Sequence, residues 1–147
     1  MAEPESEADV REKADNFRRV REAHQTEVAE DYVELIADLI EETGEARVVD
    51  LAGRLGVSNA TVNNTIQRLQ RDGLVTSKPY RSIFLTPEGK ELAAMARERH
   101  GIVRDFLIML GVDPAIADAD AEGIEHHVSD ATLNAFREHL RAKRRAR

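Results

Sequence analysis

The chain has no cysteine and no tryptophan, and only two tyrosines and four phenylalanines among its 147 residues. Without thiols there are no disulfides, thiolate zinc sites, iron–sulfur clusters or cysteine nucleophiles, so any bound metal must be held by oxygen and nitrogen. No apolar run approaches the roughly 20 residues that a membrane span needs. The first nine residues are acidic where a secretory signal is basic and then apolar, so a cytoplasmic protein with no membrane partner is expected. Basic charge is also scarce, 21 Lys and Arg against 28 Asp and Glu for a net −7. That balance is unfavourable for a nucleic-acid binder, whose affinity rests on cations displacing the counterions of the duplex. What is present is 41% hydrophobic and 33% charged residues, the composition of a folded helical protein with room for one good core or two small ones sharing a helix. A large catalytic domain is excluded.

The charge is unevenly distributed. Residues 1–42 hold 14 acidic and 5 basic side chains, residues 45–90 hold 4 and 7, residues 91–136 hold 9 and 3, and residues 137–147 hold 1 and 6. A locally basic middle suggests a nucleic-acid surface, and the acidic blocks on either side of it need a separate explanation.

Residues 1–25 lack a sustained apolar period and read as a flexible acidic arm. Tyr32, Leu35, Ile36, Leu39 and Ile40 recur at helical spacing within 26–42, with Gly44 at the C-cap position. A second short helix is expected over 48–55, and Ser58 caps a third that runs to Arg71. Two β-prone runs, 74–77 and 82–86, flank the turn Lys78-Pro79-Tyr80-Arg81 and predict a hairpin wing. Thr86 and Pro87 open a long helix to about Leu110, Asp113 and Pro114 a fifth ending near His127, and Ser129 a sixth. The expected fold is mainly α with a small β wing: a winged helix-turn-helix DNA-binding domain over 26–90, then a helical metal-binding and dimerisation domain over 91–147 with a basic tail.

In a helix-turn-helix the crossing demands a small residue on the first helix, a glycine at the turn and an apolar residue inside the second. Ala52, Gly56 and Val62 occupy those places; an ordinary helical hairpin is the alternative. The second helix of the motif presents Ser58, Asn59, Ala60, Thr61, Asn63, Asn64 and Arg68, polar and small groups suited to base edges and phosphates. Lys78 and Arg81 in the wing are suited to phosphates. A single winged helix makes too few phosphate contacts for useful specificity, so a homodimer on a palindromic operator in double-stranded DNA is expected. Leu107, Ile108, Leu110, Val112, Ile116, Leu133 and Phe136 are the candidates for its interface and core.

Glu122, Glu125 and His126 stand at i, i+3 and i+4, so two carboxylates and an imidazole project from one helix face. Asp31 and Glu34 are similarly spaced at i, i+3 beside the apolar stripe of the first long helix. His100 lies in the fourth helix, between the two groups. Taken singly, each has an ordinary explanation as a solvated acid pair or a surface histidine.

Residues 30–36 (EDYVELI), 73–75 (GLV), 85–86 (LT), 89–90 (GK), 99–100 (RH) and 120–129 (DAEGIEHHVS) carry a resemblance. Over about residues 30–135 the chain resembles the diphtheria toxin repressor family of metal-activated repressors, and looks most like its manganese transport regulator branch. The resemblance implies metal ligands at Asp31, Glu34, His100, Glu122, Glu125 and His126, with His127 a packing or supporting group. It departs from iron-responsive relatives, which have a methionine at the position of Asp31 and a cysteine at that of Glu122. The SH3-like third domain of longer relatives is not expected in a chain this short.

Four carboxylates and two imidazoles suit Mn(II) or Fe(II), although Zn(II) or Cu(II) binds such donors more tightly. Four negative charges are cancelled by two divalent ions, so a binuclear centre is expected. The expected function is a non-enzymatic, Mn(II)-activated regulator that mainly represses metal-uptake genes, in which metal bridges the DNA-binding and dimerisation domains. The alternatives are an Fe(II)-responsive repressor of the same fold, a di-metal hydrolase, and a metal-indifferent winged helix that senses an organic ligand.

Overall fold

The computed structural model describes residues 6–78 and 80–147. Residues 1–5 of the expected arm and Pro79 of the wing turn lie outside the described residues. The elements run α1 (Glu7–Thr43), α2 (Val48–Leu55), α3 (Asn59–Arg71), β1 (Val75–Thr76), β2 (Phe84–Leu85), α4 (Pro87–Met109), α5 (Pro114–Ile124) and α6 (Asp130–Arg145).

The first helix begins some 19 residues before its predicted start, and residues 7–25 are helical, where a flexible arm was expected. Its start is locally encoded by a capping box. Ser6 Oγ accepts from the Asp9 backbone N–H at 3.1 Å while Asp9 Oδ2 accepts from the Ser6 backbone N–H at 3.2 Å. No glycine or proline interrupts the helix before its left-handed cap at Gly44. The apolar period is missing because side chains 7–22 are all exposed. Periodicity reports burial, and this stretch has none.

The second half of α1 enters the larger core. Tyr32, Ile36 and Leu39 pack with Leu51 and Ala52 of α2, Val62, Ile66 and Leu69 of α3, and Ala46, Val75 and Ile83. Between α2 and α3, Gly56 adopts φ +67° and the Val57 N–H reaches back to the Ala52 carbonyl at 3.1 Å, which sets the helix-turn-helix crossing. The wing is shorter than its two runs predicted. Val75 pairs with Leu85 and Thr76 with Phe84, antiparallel, and Ile83 bonds instead to Ala46 in the α1–α2 connection. That third partner draws the incoming strand away from β1 after two residues.

Gly89, in the first turn of α4, is buried against the wing. A Cβ there would lie 2.0 Å from the Leu74 carbonyl oxygen, so only glycine permits the approach. Thr86 Oγ1 donates to the Gly73 carbonyl at 2.7 Å and accepts from the Gly89 N–H at 3.1 Å. The root of α4 is thereby fixed to the winged-helix body. Its far half packs with α5 and α6 around Val103, Ala121 and Leu133, with Ile102, Leu107, Val128 and Phe136 half-buried beside them. Phe106 stacks on Phe136 with ring centroids 4.0 Å apart. Of the expected dimer residues, Leu107, Leu133 and Phe136 serve this small core within the chain, and Val112 is half-buried. Ile108, Leu110 and Ile116 remain exposed.

The fifth helix stops at Ile124, short of the expected His127. The His127 N–H bonds to the Ile124 carbonyl at 3.0 Å, an i to i−3 closure that tightens the chain after the last regular turn. Glu125 and His126 therefore leave from the helix end, where their side chains reach back toward α1 and α4.

Candidate metal centre and DNA-facing surface

Three helices converge at the end of α5. One triad joins His100 of α4 with Glu122 and Glu125, and the other joins Asp31 and Glu27 of α1 with His126; within each, one ligand atom per residue lies within 4.8 Å of the others. His100 Nδ1 stands 3.5 Å from Glu122 Oε1 and 3.6 Å from Glu125 Oε2. His126 Nε2 stands 3.1 Å from Asp31 Oδ1 and 3.3 Å from Glu125 Oε1. Glu125 is thus common to both sides, one oxygen toward each histidine. Of the six expected ligands, five fall in these triads. Glu34 is half-buried beside them, where the charges of Glu122, His100 and Asp31 act on it.

The buried polar atoms without a hydrogen-bond partner among the described residues are Arg99 Nε, His100 Nδ1, both Glu125 carboxylate oxygens and His126 Nε2. Four of those five belong to expected ligands and face one another. Leaving such atoms unsatisfied costs about 1–3 kcal/mol each. The approach of Asp31 to His126 is short, and its carboxylate raises the imidazolium. Lone pairs converging in a buried space from oxygen and nitrogen donors fit a divalent cation.

Each histidine is oriented from behind. Asp118 Oδ1 lies 2.7 Å from His100 Nε2, and the buried Glu30 Oε2 lies 2.6 Å from His126 Nδ1. A carboxylate on the far ring nitrogen fixes the tautomer and leaves the near nitrogen free to ligate. Sequence reading missed Glu30, Asp118 and Glu27. The available signal was spacing, since Asp118 precedes Glu122 and Glu27 precedes Asp31 by one helical turn.

The electrostatics are those of a cluster that retains protons when no cation is bound. Burial raises the Glu125 carboxyl; His126 opposes that rise and the Glu34, Glu122 and Asp31 carboxylates add to it, leaving the group at about 8. Burial lowers the His126 imidazolium, but the Asp31 and Glu30 carboxylates outweigh it and carry the group to about 10. Glu34 is raised by burial first and then by Glu122 and Asp38.

In the winged helix, Ser58, Asn59, Ala60, Thr61, Asn63, Asn64 and Arg68 are all exposed, as are Lys78 and Arg81. A groove of about 640 Å³ runs between α3 and the wing, lined by Asn59, Asn63, Gln67, Lys78 and Arg81 together with Arg47. Ser58, Ala60, Thr61, Asn64 and Arg68 lie outside that groove. Ser58 also has a structural duty, since its Oγ accepts from the Thr61 N–H at 3.1 Å as the helix cap. Gln70 Nε2 donates to the Ser77 carbonyl at 3.1 Å and ties α3 to the wing. Among the described residues no helix is long and apolar enough to cross a membrane.

Two family models match the chain: "Iron dependent repressor, N-terminal DNA binding domain" over residues 24–83, and "Iron dependent repressor, metal binding and dimerisation domain" over residues 86–145. The transcriptional regulator MntR of Escherichia coli O6:H1 is 59% identical over 128 residues, covering 87% of this chain and 83% of that protein. The HTH-type transcriptional regulator MntR of Listeria monocytogenes serotype 4a is 43% identical over 100 residues, 68% of this chain and 70% of that one. Among solved structures, a manganese-dependent transcriptional repressor in complex with manganese superimposes with TM-score 0.69 at 31% identity, covering 76% of this chain and 52% of that one. The manganese regulator SloR gives TM-score 0.68 at 26% identity, covering 77% and 53%. The chain therefore spans about half the length of these solved structures.

Proposed function

Because the chain belongs to the iron dependent repressor family, whose members are metal-responsive DNA-binding regulators and not enzymes, we propose that it is a Mn(II)-activated repressor. It acts in the cytoplasm as a homodimer on a palindromic operator and mainly controls metal-uptake genes. The carrying observation is the pair of triads drawn from both family domains, with His100 Nδ1, His126 Nε2 and both Glu125 oxygens buried and unpartnered. Asp31, Glu34, His100, Glu122, Glu125 and His126 are the ligands of this reading, and two ions per subunit are its stoichiometry. Their four carboxylates match four positive charges, and the Glu125 oxygens point to the two sides.

Bound Mn(II) supplies the positive charge that protons otherwise provide. The chain's own residues then determine the consequence. Asp31 and Glu34 move with α1, which is embedded in the winged-helix core, whereas His100, Glu122, Glu125 and His126 belong to the α4–α5 unit. Without a cation the charge is balanced only by protons, and where these are lost the carboxylates repel and loosen α1 from α5. Held together, they fix the winged helix on the dimerisation helices and narrow the range of spacings between the two recognition helices of a dimer. Operator binding then requires less ordering of the protein. In the DNA-facing surface, Asn59, Asn63, Lys78 and Arg81 of the groove, with Ser58, Ala60, Thr61, Asn64 and Arg68 beside it, are assigned to bases and phosphates.

The test is operator binding by gel shift with Mn(II), Fe(II), Zn(II) or chelator. Retardation restored by Mn(II) and abolished by chelator is the expected result, and metal-indifferent retardation would sink the reading. The all-oxygen and nitrogen donor set equally suits Fe(II), and restoration by iron but not manganese would favour an Fe(II)-responsive repressor.

A further inference from the structure

The reading above leaves Glu27 without a role, although it belongs to one of the two triads. Glu27 lies one helical turn before Asp31, so the two carboxylates share a face of α1. Glu27 is present there because α1 continues unbroken upstream of the stretch where the apolar period begins. Its side chain is only 22% exposed. One of its oxygens lies within 4.8 Å of a carboxylate oxygen of Asp31 and a ring nitrogen of His126. An independent observation points the same way: the His126 side chain is 1% exposed, and its Nε2 is buried, unpartnered and aimed at the Asp31 side of the centre.

We propose that Glu27 is a further protein ligand, an oxygen donor to the cation held by Asp31, His126 and Glu125. The inference rests on the metal-centre reading and adds a residue outside its six. The two sides of the centre then become comparable, His100, Glu122, Glu34 and Glu125 on one and Glu27, Asp31, His126 and Glu125 on the other. Glu27 Oε2 also sits 3.3 Å from His24 Nδ1 and 3.3 Å from His127 Nε2. These two outward-facing rings hold the carboxylate at the mouth of the centre when no cation draws it inward. A carboxylate there places a hard oxygen donor where solvent would otherwise complete the coordination, which suits Mn(II) better than a soft-ligand metal.

The test uses the full chain and Mn(II) alone, counting bound ions by calorimetry and by the loss of the free-Mn(II) electron paramagnetic resonance signal. E27Q removes the charge and the strong donor; E27D keeps the charge but withdraws the oxygen by one methylene. Direct ligation requires both to weaken one Mn(II) site by about 10-fold or more and leave the other site unchanged. If E27D binds as the wild type does while E27Q is weakened, Glu27 acts only as a distant charge and the inference is overturned. It is also overturned if neither variant changes binding while E125Q abolishes it, an outcome that leaves the six-ligand centre standing. If E125Q also has no effect, the centre itself falls.

Discussion

In the proposed centre, Glu125 and His126 make metal binding a proton-release reaction. Without a cation the Glu125 carboxyl titrates at about 8 and the His126 imidazolium at about 10, against ordinary values of 4.5 and 6.5. At pH 7 both groups are therefore predominantly protonated, and ligation requires both in their deprotonated forms. Uptake of Mn(II) at pH 7 should release about two protons per subunit, and the apparent affinity should rise by about 100-fold per pH unit between pH 6 and 7.5. The metal-free fold should show the opposite trend. Both groups are raised above their unfolded values, so their stabilising effect is complete below the unfolded pKa and is lost as pH rises through the folded one. For Glu125 that window runs from 4.5 to about 8 and for His126 from 6.5 to about 10. The melting temperature in chelator should accordingly fall between pH 6 and 9 while Mn(II) affinity climbs. Calorimetric titration in buffers of different ionisation enthalpy counts the protons directly. Release of less than about half a proton at pH 7 would refute the reasoning, because it would mean that both groups are already deprotonated in the absence of metal.

Three further outcomes are expected. Glu30→Gln removes the carboxylate that orients His126 from behind at 2.6 Å and should weaken Mn(II) binding by roughly 10–100-fold in calorimetry; an unchanged affinity would show that the ring needs no such support. Gly89→Ala drives a methyl group into the Leu74 carbonyl at 2.0 Å and should destabilise the chain by about 1–3 kcal/mol, read as a lower midpoint in urea; a wild-type midpoint would mean that the wing yields freely. On the DNA side, Asn63→Ala should cost about 1–3 kcal/mol and relax discrimination at one operator position, whereas Arg81→Ala should weaken binding to all sequences and lower the salt slope by about 1. Fluorescence anisotropy across operator variants and salt concentrations separates the two, and identical behaviour of both variants would remove the assignment of groove residues to bases and wing residues to phosphates.

Much of this architecture depends on local rules, and the residues that follow them could be read directly. Ser58, Thr86, Asp113 and Ser129 each cap the helix expected of them, because capping is settled within four residues of chain. The helix-turn-helix was equally legible in Ala52, Gly56 and Val62, whose sizes are dictated by a close crossing. The upstream half of α1 was not, since a helix held by its cap and by helix-forming residues leaves no apolar period where its side chains stay exposed. The candidate metal ligands were legible as residue types, but two acids three apart on a helix look the same whether they face solvent or a cation. Glu30, Asp118 and Glu27 could be distinguished from the other acidic residues only once α1, α4 and the end of α5 came together. Burial then decided the chemistry of Glu125 and Glu34: a carboxylate that is an ordinary solvated acid on an isolated helix becomes a proton-retaining group when the fold removes its water and places other carboxylates beside it.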